Sequence, residues 1–145
     1  MTESIHIQHA RKVFRTELEA LEHVVGLLDD TFHQTVESLV HTMESKGKVV
    51  VIGVGKSGNI GRKIAATLTS TGTTSVLLDS VDALHGDLGV VTDGDLVLVL
   101  SYSGETDELI NLLPALKRFQ IKLVGMTGIP ASTLARACDL VLNVE

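Results

Sequence analysis

From residue 48 onward, the chain alternates short, β-branched apolar runs with stretches of helical periodicity. This alternation is typical of βαβ units, whose parallel strands are covered by helices on both faces. The helical stretches lie at about 59–70, 106–119 and 132–137. We therefore predict an α/β fold of three layers around a five-stranded parallel sheet. The predicted strands are 49–52, 75–78, 96–100, 122–126 and 140–144.

The first 47 residues have a different pattern, which predicts an N-terminal helical hairpin before the sheet. Apolar residues recur every three or four positions from Ile7 to Leu28, and a second stripe runs from Phe32 to Met43, ending before Gly47. Asp29 and Asp30 offer an N-cap for the second helix. The first stripe either packs on the chain's own sheet or forms a seam between subunits, since it follows a near-heptad repeat.

Composition limits the classes of function. The 145 residues carry a formal charge of −6 with no Lys/Arg cluster, which argues against a nucleic-acid surface. The lone Cys138 cannot form an internal disulfide. No apolar run is long enough to span a bilayer, so we expect a cytoplasmic protein with no membrane partner. Length predicts one domain over 1–145, with helices at 1–47 and the α/β core at 48–145.

A glycine-rich loop follows the first predicted strand. It contains Gly53, Gly55 and Gly58 around Lys56 and Ser57. Glycines let the backbone approach a ligand, and the unpaired N–H groups at a helix start attract anions. The same three glycines, with Asp79 downstream, also fit a dinucleotide site. A nucleoside triphosphatase loop is excluded, because the glycine it needs five residues before Gly55 is Val50.

A second polar loop follows the third predicted strand. Ser101, Ser103 and Thr106 surround Gly104 and offer hydroxyl donors suited to a monophosphate. Taken singly, Ser103 or Thr106 also fits a plain N-cap. The loops after the first and third strands flank the point where strand order reverses in a doubly wound sheet. We therefore expect both loops to face one ligand.

The segment 80–94 is too polar and glycine-rich for a plain crossover helix, which predicts a functional loop containing a helical turn. It holds His85, the one histidine outside the N-terminal helices, and imidazole suits proton transfer near neutral pH. Asp87 either fixes this loop or caps a turn. The N-terminal histidines lack the spacing of a metal site, and we expect no metal.

Three motifs together resemble the sugar isomerase (SIS) domain: Gly-Lys-Ser-Gly, Ala-Leu-His-Gly-Asp-Leu-Gly and Ser-x-Ser-Gly-Glu-Thr. The sequence is most similar to the arabinose 5-phosphate isomerases. The resemblance implies a flavodoxin-like fold, a homo-oligomer (dimer or tetramer), no cofactor, and aldose–ketose isomerisation between D-ribulose 5-phosphate and D-arabinose 5-phosphate for lipopolysaccharide or capsule synthesis. It also implies a C-terminal helical tail and often CBS domains, neither of which occurs in this sequence.

The resemblance assigns roles by position. Ser57, Ser101, Ser103 and Thr106, with Gly55 and Gly104, resemble the residues that bind the substrate's phosphate. Lys56, His85 and Glu108 resemble the catalytic polar residues, which would move a proton through an enediol. Two alternatives stay open, a non-catalytic regulatory domain that binds phosphosugars and a dinucleotide-binding domain.

Overall fold

The predicted parallel sheet is confirmed in a computed structural model that describes residues 4–84 and 86–145. All four strand pairs are parallel, and the strand order is β2-β1-β3-β4-β5, so strand order reverses between β1 and β3. The strands end close to the predicted residues because each run is apolar and bounded by polar or glycine residues. Their bounds are Val49–Gly53 (β1), Ser75–Leu78 (β2), Leu96–Leu100 (β3), Lys122–Thr127 (β4) and Leu140–Asn143 (β5).

Helices cover both faces of the sheet, as the three-layer prediction requires. Alternate side chains of one strand point to opposite faces. Val50 and Ile52 therefore pack in the cluster that includes Leu109 and Leu112 of the helix at 107–116. Val49 and Val51 pack in the cluster that includes Ala65 of the helix at 55–70. The helices are α1 (Ile5–Leu27), α2 (Asp30–Glu44), α3 (Gly55–Ser70), α4 (Ser80–Leu84), α5 (Asp107–Leu116) and α6 (Thr133–Ala137), with a 3₁₀ turn at Asp87–Val90.

Helix α3 begins four residues earlier than the pattern predicts. The sequence places the start near Asn59, after a glycine loop, but the structure starts the helix at Gly55, directly after Val54. Gly55 has a φ of 57°, which a glycine adopts without the strain of other residues. Lys56 and Ser57 therefore lie in the first turn of a helix and not in a loop.

The two N-terminal helices are confirmed, and they differ in how they pack. Helix α2 is capped by the Asp29 carboxylate, which accepts a hydrogen bond from the Thr31 N–H at 2.8 Å, and its Leu39 packs against the sheet. None of the residues of α1, all of which the structure describes, is buried. The alternative in which the α1 stripe packs on the chain's own sheet is therefore wrong for most of the stripe; at its end, Leu28 lines a cavity together with Leu142 of β5.

No helix in the described part of the chain combines the length and the apolar character that crossing a membrane demands.

A buried ion pair joins the starts of β1 and β3, at the edge of the sheet opposite the loops discussed below. The Asp95 side chain is 1% exposed and accepts from Lys48 Nζ at 2.7 Å. It also accepts from the backbone N–H of Lys48 at 3.0 Å and of Thr92 at 2.8 Å. Burial raises the pKa of Asp95, but the hydrogen bonds from Lys48 and Thr92 outweigh it and hold that pKa below its ordinary value.

Candidate functional site

The two predicted anion loops begin side by side at the carboxyl edge of the sheet. Gly53, the last residue of β1, is paired with Leu100, the last residue of β3, and neighbouring strands lie about 4.8 Å apart. The chain then continues into α3 on one face and α5 on the other. The N-termini of both helices therefore flank the carboxyl edge of the sheet at the point where strand order reverses, which is where open α/β sheets bind ligands.

The turn from β1 into α3 is held by close packing of its own backbone. A Cβ built on Gly53 would lie 2.9 Å from the backbone nitrogen of Gly58, and one built on Gly58 would lie 2.8 Å from the Gly53 oxygen. Both glycines are thus required by the close turn from strand to helix, and Gly55 is required by its positive φ. This turn accounts for the G-x-G-x-x-G spacing without a dinucleotide.

The loop after β3 is organised around a buried serine. Ser101 is 3% exposed, and its Oγ accepts a hydrogen bond from the Gly104 N–H at 3.1 Å and lies 2.9 Å from Thr106 Oγ1. Ser103 is exposed, and its Oγ accepts from the Glu105 N–H at 3.3 Å. The predicted hydroxyl residues of this loop therefore share one hydrogen-bonded turn at the start of α5.

Gly104 holds this loop against the start of α6. Its φ is 64°, and an added Cβ would overlap Ser132 Oγ, so both conformation and space demand glycine. The Gly104 carbonyl accepts from the Leu134 N–H at 3.0 Å, and the Glu105 carboxylate accepts from the Thr133 N–H at 2.7 Å. Hydrogen bonding by the Thr133 backbone and side chain lowers the pKa of Glu105.

A second anchor fixes the middle of the same loop. The Tyr102 carbonyl accepts from the Gly128 N–H and from Thr127 Oγ1, each at 3.0 Å. Thr127 Oγ1 in turn accepts from the Ile129 N–H at 3.1 Å. Sequence reasoning assigned no role to Glu105, Thr127 or Ser132; the signal available for Thr127 is a polar residue at the carboxyl end of a buried strand.

The two helix starts differ in charge. The first turn of α3, within the described chain, carries no acidic residue, and Lys56 is exposed there. The first turn of α5 carries Asp107 and Glu108, both exposed. Because carboxylates already balance the dipole of α5, the start of α3 is the more attractive of the two for an anion.

His85, the predicted proton-transfer residue, lies outside the residues that the structure describes. The elements on either side of it are α4 and the 3₁₀ turn, which together confirm a polar segment with helical turns. Ser80, the first residue of α4, is 1% exposed, and its hydroxyl has no hydrogen-bond partner among the described residues.

Cys138 is a packing residue at the end of α6. Burial foremost, and then Asp139, raises the pKa of its thiol to about 12.

The structure thus places the predicted residues of the second loop in one turn after β3: Ser101, Ser103, Gly104 and Thr106. Gly55, Lys56 and Ser57 lie in the first turn of α3, which follows the neighbouring strand β1. Glu108 lies in the first turn of α5. Whether the two groups contact one ligand stays a prediction.

Comparison with known proteins agrees with this architecture. The family model for the SIS domain matches residues 42–145, so the chain belongs to the SIS-domain family. It is 44% identical over 139 residues to "Arabinose 5-phosphate isomerase KdsD" of Pseudomonas aeruginosa, covering 96% of this chain and 42% of that protein. It is 43% identical over 139 residues to "Arabinose 5-phosphate isomerase KpsF" of Escherichia coli O6:H1, again covering 96% of this chain and 42% of the relative.

Among solved structures, an Escherichia coli CFT073 protein in complex with arabinose 5-phosphate superposes with a TM-score of 0.91 at 40% identity. The match covers 99% of this chain and 75% of the solved one. The chain therefore spans about two fifths of the length of the curated relatives that it matches.

Proposed function

We propose that this chain carries the sugar-phosphate site of an aldose–ketose isomerase that interconverts D-ribulose 5-phosphate and D-arabinose 5-phosphate. The observation that carries the proposal is the hydroxyl-lined turn 101–106 beside the start of α3, in a chain 44% identical to a named arabinose 5-phosphate isomerase. The ligand named for the solved Escherichia coli complex supports the same substrate.

The Ser101–Thr106 pair is suited to donate one hydrogen bond to a phosphate oxygen. A hydroxyl group has one hydrogen to donate and accepts two hydrogen bonds. The contact between Ser101 Oγ and Thr106 Oγ1 uses one of the pair's two hydrogens. Because Ser101 is buried and Thr106 is half-buried, we assign the hydrogen of this contact to Ser101, which donates to Thr106 Oγ1. The Thr106 hydroxyl is then left to donate to the phosphate.

Ser103, Ser57 and the N–H groups at the start of α3 complete the proposed phosphate cradle, and Lys56 supplies the positive charge. In this cradle the phosphate accepts hydrogen bonds from the hydroxyls of the turn 101–106 and lies toward the start of α3, because Asp107 and Glu108 disfavour an anion over the first turn of α5 itself. Glu108 is then left for the sugar, to orient a hydroxyl or move a proton. His85 is proposed as a proton shuttle, from its residue type and its position after β2.

Isomerisation moves a proton between neighbouring carbons through an enediol, and so needs an acid–base pair and stabilisation of a developing oxyanion. In our proposal one of His85 and Glu108 removes the proton from the carbon beside the carbonyl and returns it to the neighbouring carbon, while the other moves a proton between the two oxygens of the enediol. Lys56 lies close enough to the phosphate cradle for its charge to favour the bound anion. We further propose a cytoplasmic setting, where sugar phosphates are made and used.

The test is to incubate the chain with ribulose 5-phosphate and to measure arabinose 5-phosphate, in parallel with calorimetric titration of arabinose 5-phosphate. Binding and conversion support the proposal. Binding without conversion favours the regulatory alternative when a chain of the relatives' full length, tested in parallel, also fails to convert the substrate. Protection by NAD, and not by either pentose phosphate, favours the dinucleotide alternative and contradicts the proposal.

A further inference from the structure

The ring of Tyr102 rests on Gly128, in the loop that follows β4. A Cβ built on Gly128 would lie 2.5 Å from Tyr102 Cε2 and 2.7 Å from Tyr102 Cζ, so the edge of the ring fills the space that a side chain would need. Gly128 does not have the positive φ that would itself demand glycine. The contact with the Tyr102 ring is therefore the feature that requires glycine at this position.

Tyr102 holds Gly128 at two points. The Tyr102 carbonyl accepts hydrogen bonds from the Gly128 N–H and from Thr127 Oγ1, each at 3.0 Å, and the ring of the same residue covers the glycine. Thr127 is fully buried, whereas Tyr102 is 63% exposed. A ring that is so exposed gains little free energy from burial, so its place on Gly128 calls for a role other than filling the core.

The ring is well placed to keep water away from these hydrogen bonds. A hydrogen bond is electrostatically stronger where water is excluded, because the local dielectric constant is lower. The two bonds accepted by the Tyr102 carbonyl hold the middle of the turn 101–106, between Ser101 and Ser103. Without the ring, water would compete for the Gly128 N–H, and the turn would be held less firmly.

We propose that Tyr102 is a positioning residue of the sugar-phosphate site. Its ring shields the hydrogen bonds that its own carbonyl accepts, and so fixes the turn whose hydroxyls bind the phosphate. Tyr102 acts through the turn and not by contact with the ligand. The effect on ligand affinity rests on the proposed function, whereas the shielding does not.

Amide hydrogen exchange, followed by NMR on the whole chain, tests the shielding. Tyr102→Ala is expected to speed exchange of the Gly128 N–H at least about tenfold, because this bond then opens locally to water. Tyr102→Phe keeps the ring and is the matched control, so its Gly128 N–H should exchange as in the unaltered chain. The Leu134 N–H, which donates to the Gly104 carbonyl, should keep its rate, since only a global loss of stability would speed both.

Calorimetric titration of arabinose 5-phosphate measures the consequence for the site. Its affinity is expected to fall about fivefold in Tyr102→Ala, the effect of weakening one hydrogen bond, and to stay unchanged in Tyr102→Phe. Gly128→Ala should lower the affinity by a similar factor, because the added methyl group displaces the ring. In combination with Tyr102→Ala, the Gly128→Ala change should cost little more, since no ring is left to displace.

The position of the ring can be followed by itself. The chain has one tyrosine and no tryptophan, so tyrosine fluorescence reports on Tyr102 alone. The anisotropy of this fluorescence is expected to fall in Gly128→Ala, because a displaced ring moves more freely. Unchanged anisotropy would contradict the contact between the ring and Gly128.

Unchanged exchange of the Gly128 N–H in Tyr102→Ala would overturn the shielding, and so would equally fast exchange in Tyr102→Phe. Faster exchange with unchanged affinity for arabinose 5-phosphate would overturn the link between Tyr102 and the site. An unaltered chain that binds no sugar phosphate would contradict the proposed function, and this link with it. The exchange rates of Gly128 involve no sugar phosphate, so they decide the shielding in either case.

Discussion

The hydroxyl groups of the 101–106 turn do two different tasks at the level of single residues. Ser101 is buried and holds the turn together through Gly104 and Thr106, whereas Ser103 is exposed and Thr106 is half-buried. A motif of three hydroxyls therefore does not mean three equivalent ligands. In the proposed arrangement, Ser101 donates to Thr106, and this leaves the Thr106 hydroxyl free to donate to the ligand.

Replacing Thr106 by valine keeps the shape of the side chain and removes its hydroxyl. Arabinose 5-phosphate is expected to bind about tenfold more weakly, about 1.4 kcal/mol, because one charge-assisted hydrogen bond is lost. Calorimetric titration measures the change. Thr106→Ser, which keeps the hydroxyl, is the control, and equal affinity of the Val and Ser variants would remove Thr106 from the phosphate site.

Glu105 is expected to act as a positioning residue through the Thr133 N–H. Glu105→Ala frees the turn from α6, so sugar-phosphate affinity should fall several-fold, while Glu105→Gln, whose amide oxygen can still accept, should keep most of it. Because the pKa of Glu105 is lowered, this anchor is present above the ordinary glutamate pKa and weakens as pH falls through the lowered value. Equal affinity of the Ala variant and the unaltered chain would contradict the role.

At the level of elements, the site depends on where helices start. The positive φ of Gly55 lets α3 begin immediately after β1, so its N-terminal N–H groups stand beside the end of β3. A helix starting at Asn59 would hold those groups about four residues farther along the chain. The positive φ of Gly55 therefore places a helix N-terminus, and not a loop, beside the end of β3.

Gly55→Ala should therefore weaken sugar-phosphate binding in addition to lowering the free energy of unfolding. The left-handed conformation costs an L-residue about 1–2 kcal/mol, although an added Cβ at Gly55 meets nothing within 4 Å. Gly72→Ala is the matched control, since Gly72 has a φ of 96° and equally open space at the other end of α3. Urea unfolding should show similar destabilisation for both, and only Gly55→Ala should weaken sugar-phosphate binding.

At the level of the whole molecule, a stabilising ion pair and the candidate site lie at opposite edges of one sheet. The carboxyl ends of β1 and β3 lead to the candidate site, and their beginnings are tied by Asp95 and Lys48. Parallel pairing permits this division, because every strand points the same way and both edges are formed by strand ends.

Asp95→Asn should destabilise the fold at pH 7 by about 3 kcal/mol, because it breaks a buried ion pair. The lowered pKa of Asp95 means that the ionised form contributes stability above the ordinary aspartate pKa of about 3.9, and that this contribution is lost as pH falls through the lowered value. The difference between variant and unaltered chain in urea unfolding should therefore shrink in acid. A difference that does not change with pH would contradict the ion pair's role, and sugar-phosphate affinity at pH 7 should be unchanged.

The sequence by itself determined the layers of this protein. Apolar runs such as 96–100 and 123–125 are buried on both faces, as strands in the middle of a parallel sheet are. The position of such runs along the chain therefore predicts strands almost to the residue. The motif residues around Gly104 were predictable for a similar reason, because hydroxyls and glycine at a strand end have local physical roles.

Only the tertiary structure decided which residues contact the turn 101–106. The anchors of the turn 101–106 come from Thr127, Ser132 and Thr133, more than twenty residues away, and no local pattern specifies such a contact. The covering of the α1 stripe was undecided for the same reason. Periodicity shows that a helix has an apolar side, but only the packed chain shows how far its own sheet covers that side. Here the sheet reaches only the C-terminal end of the stripe, because the rest of α1 extends beyond the strands and is exposed.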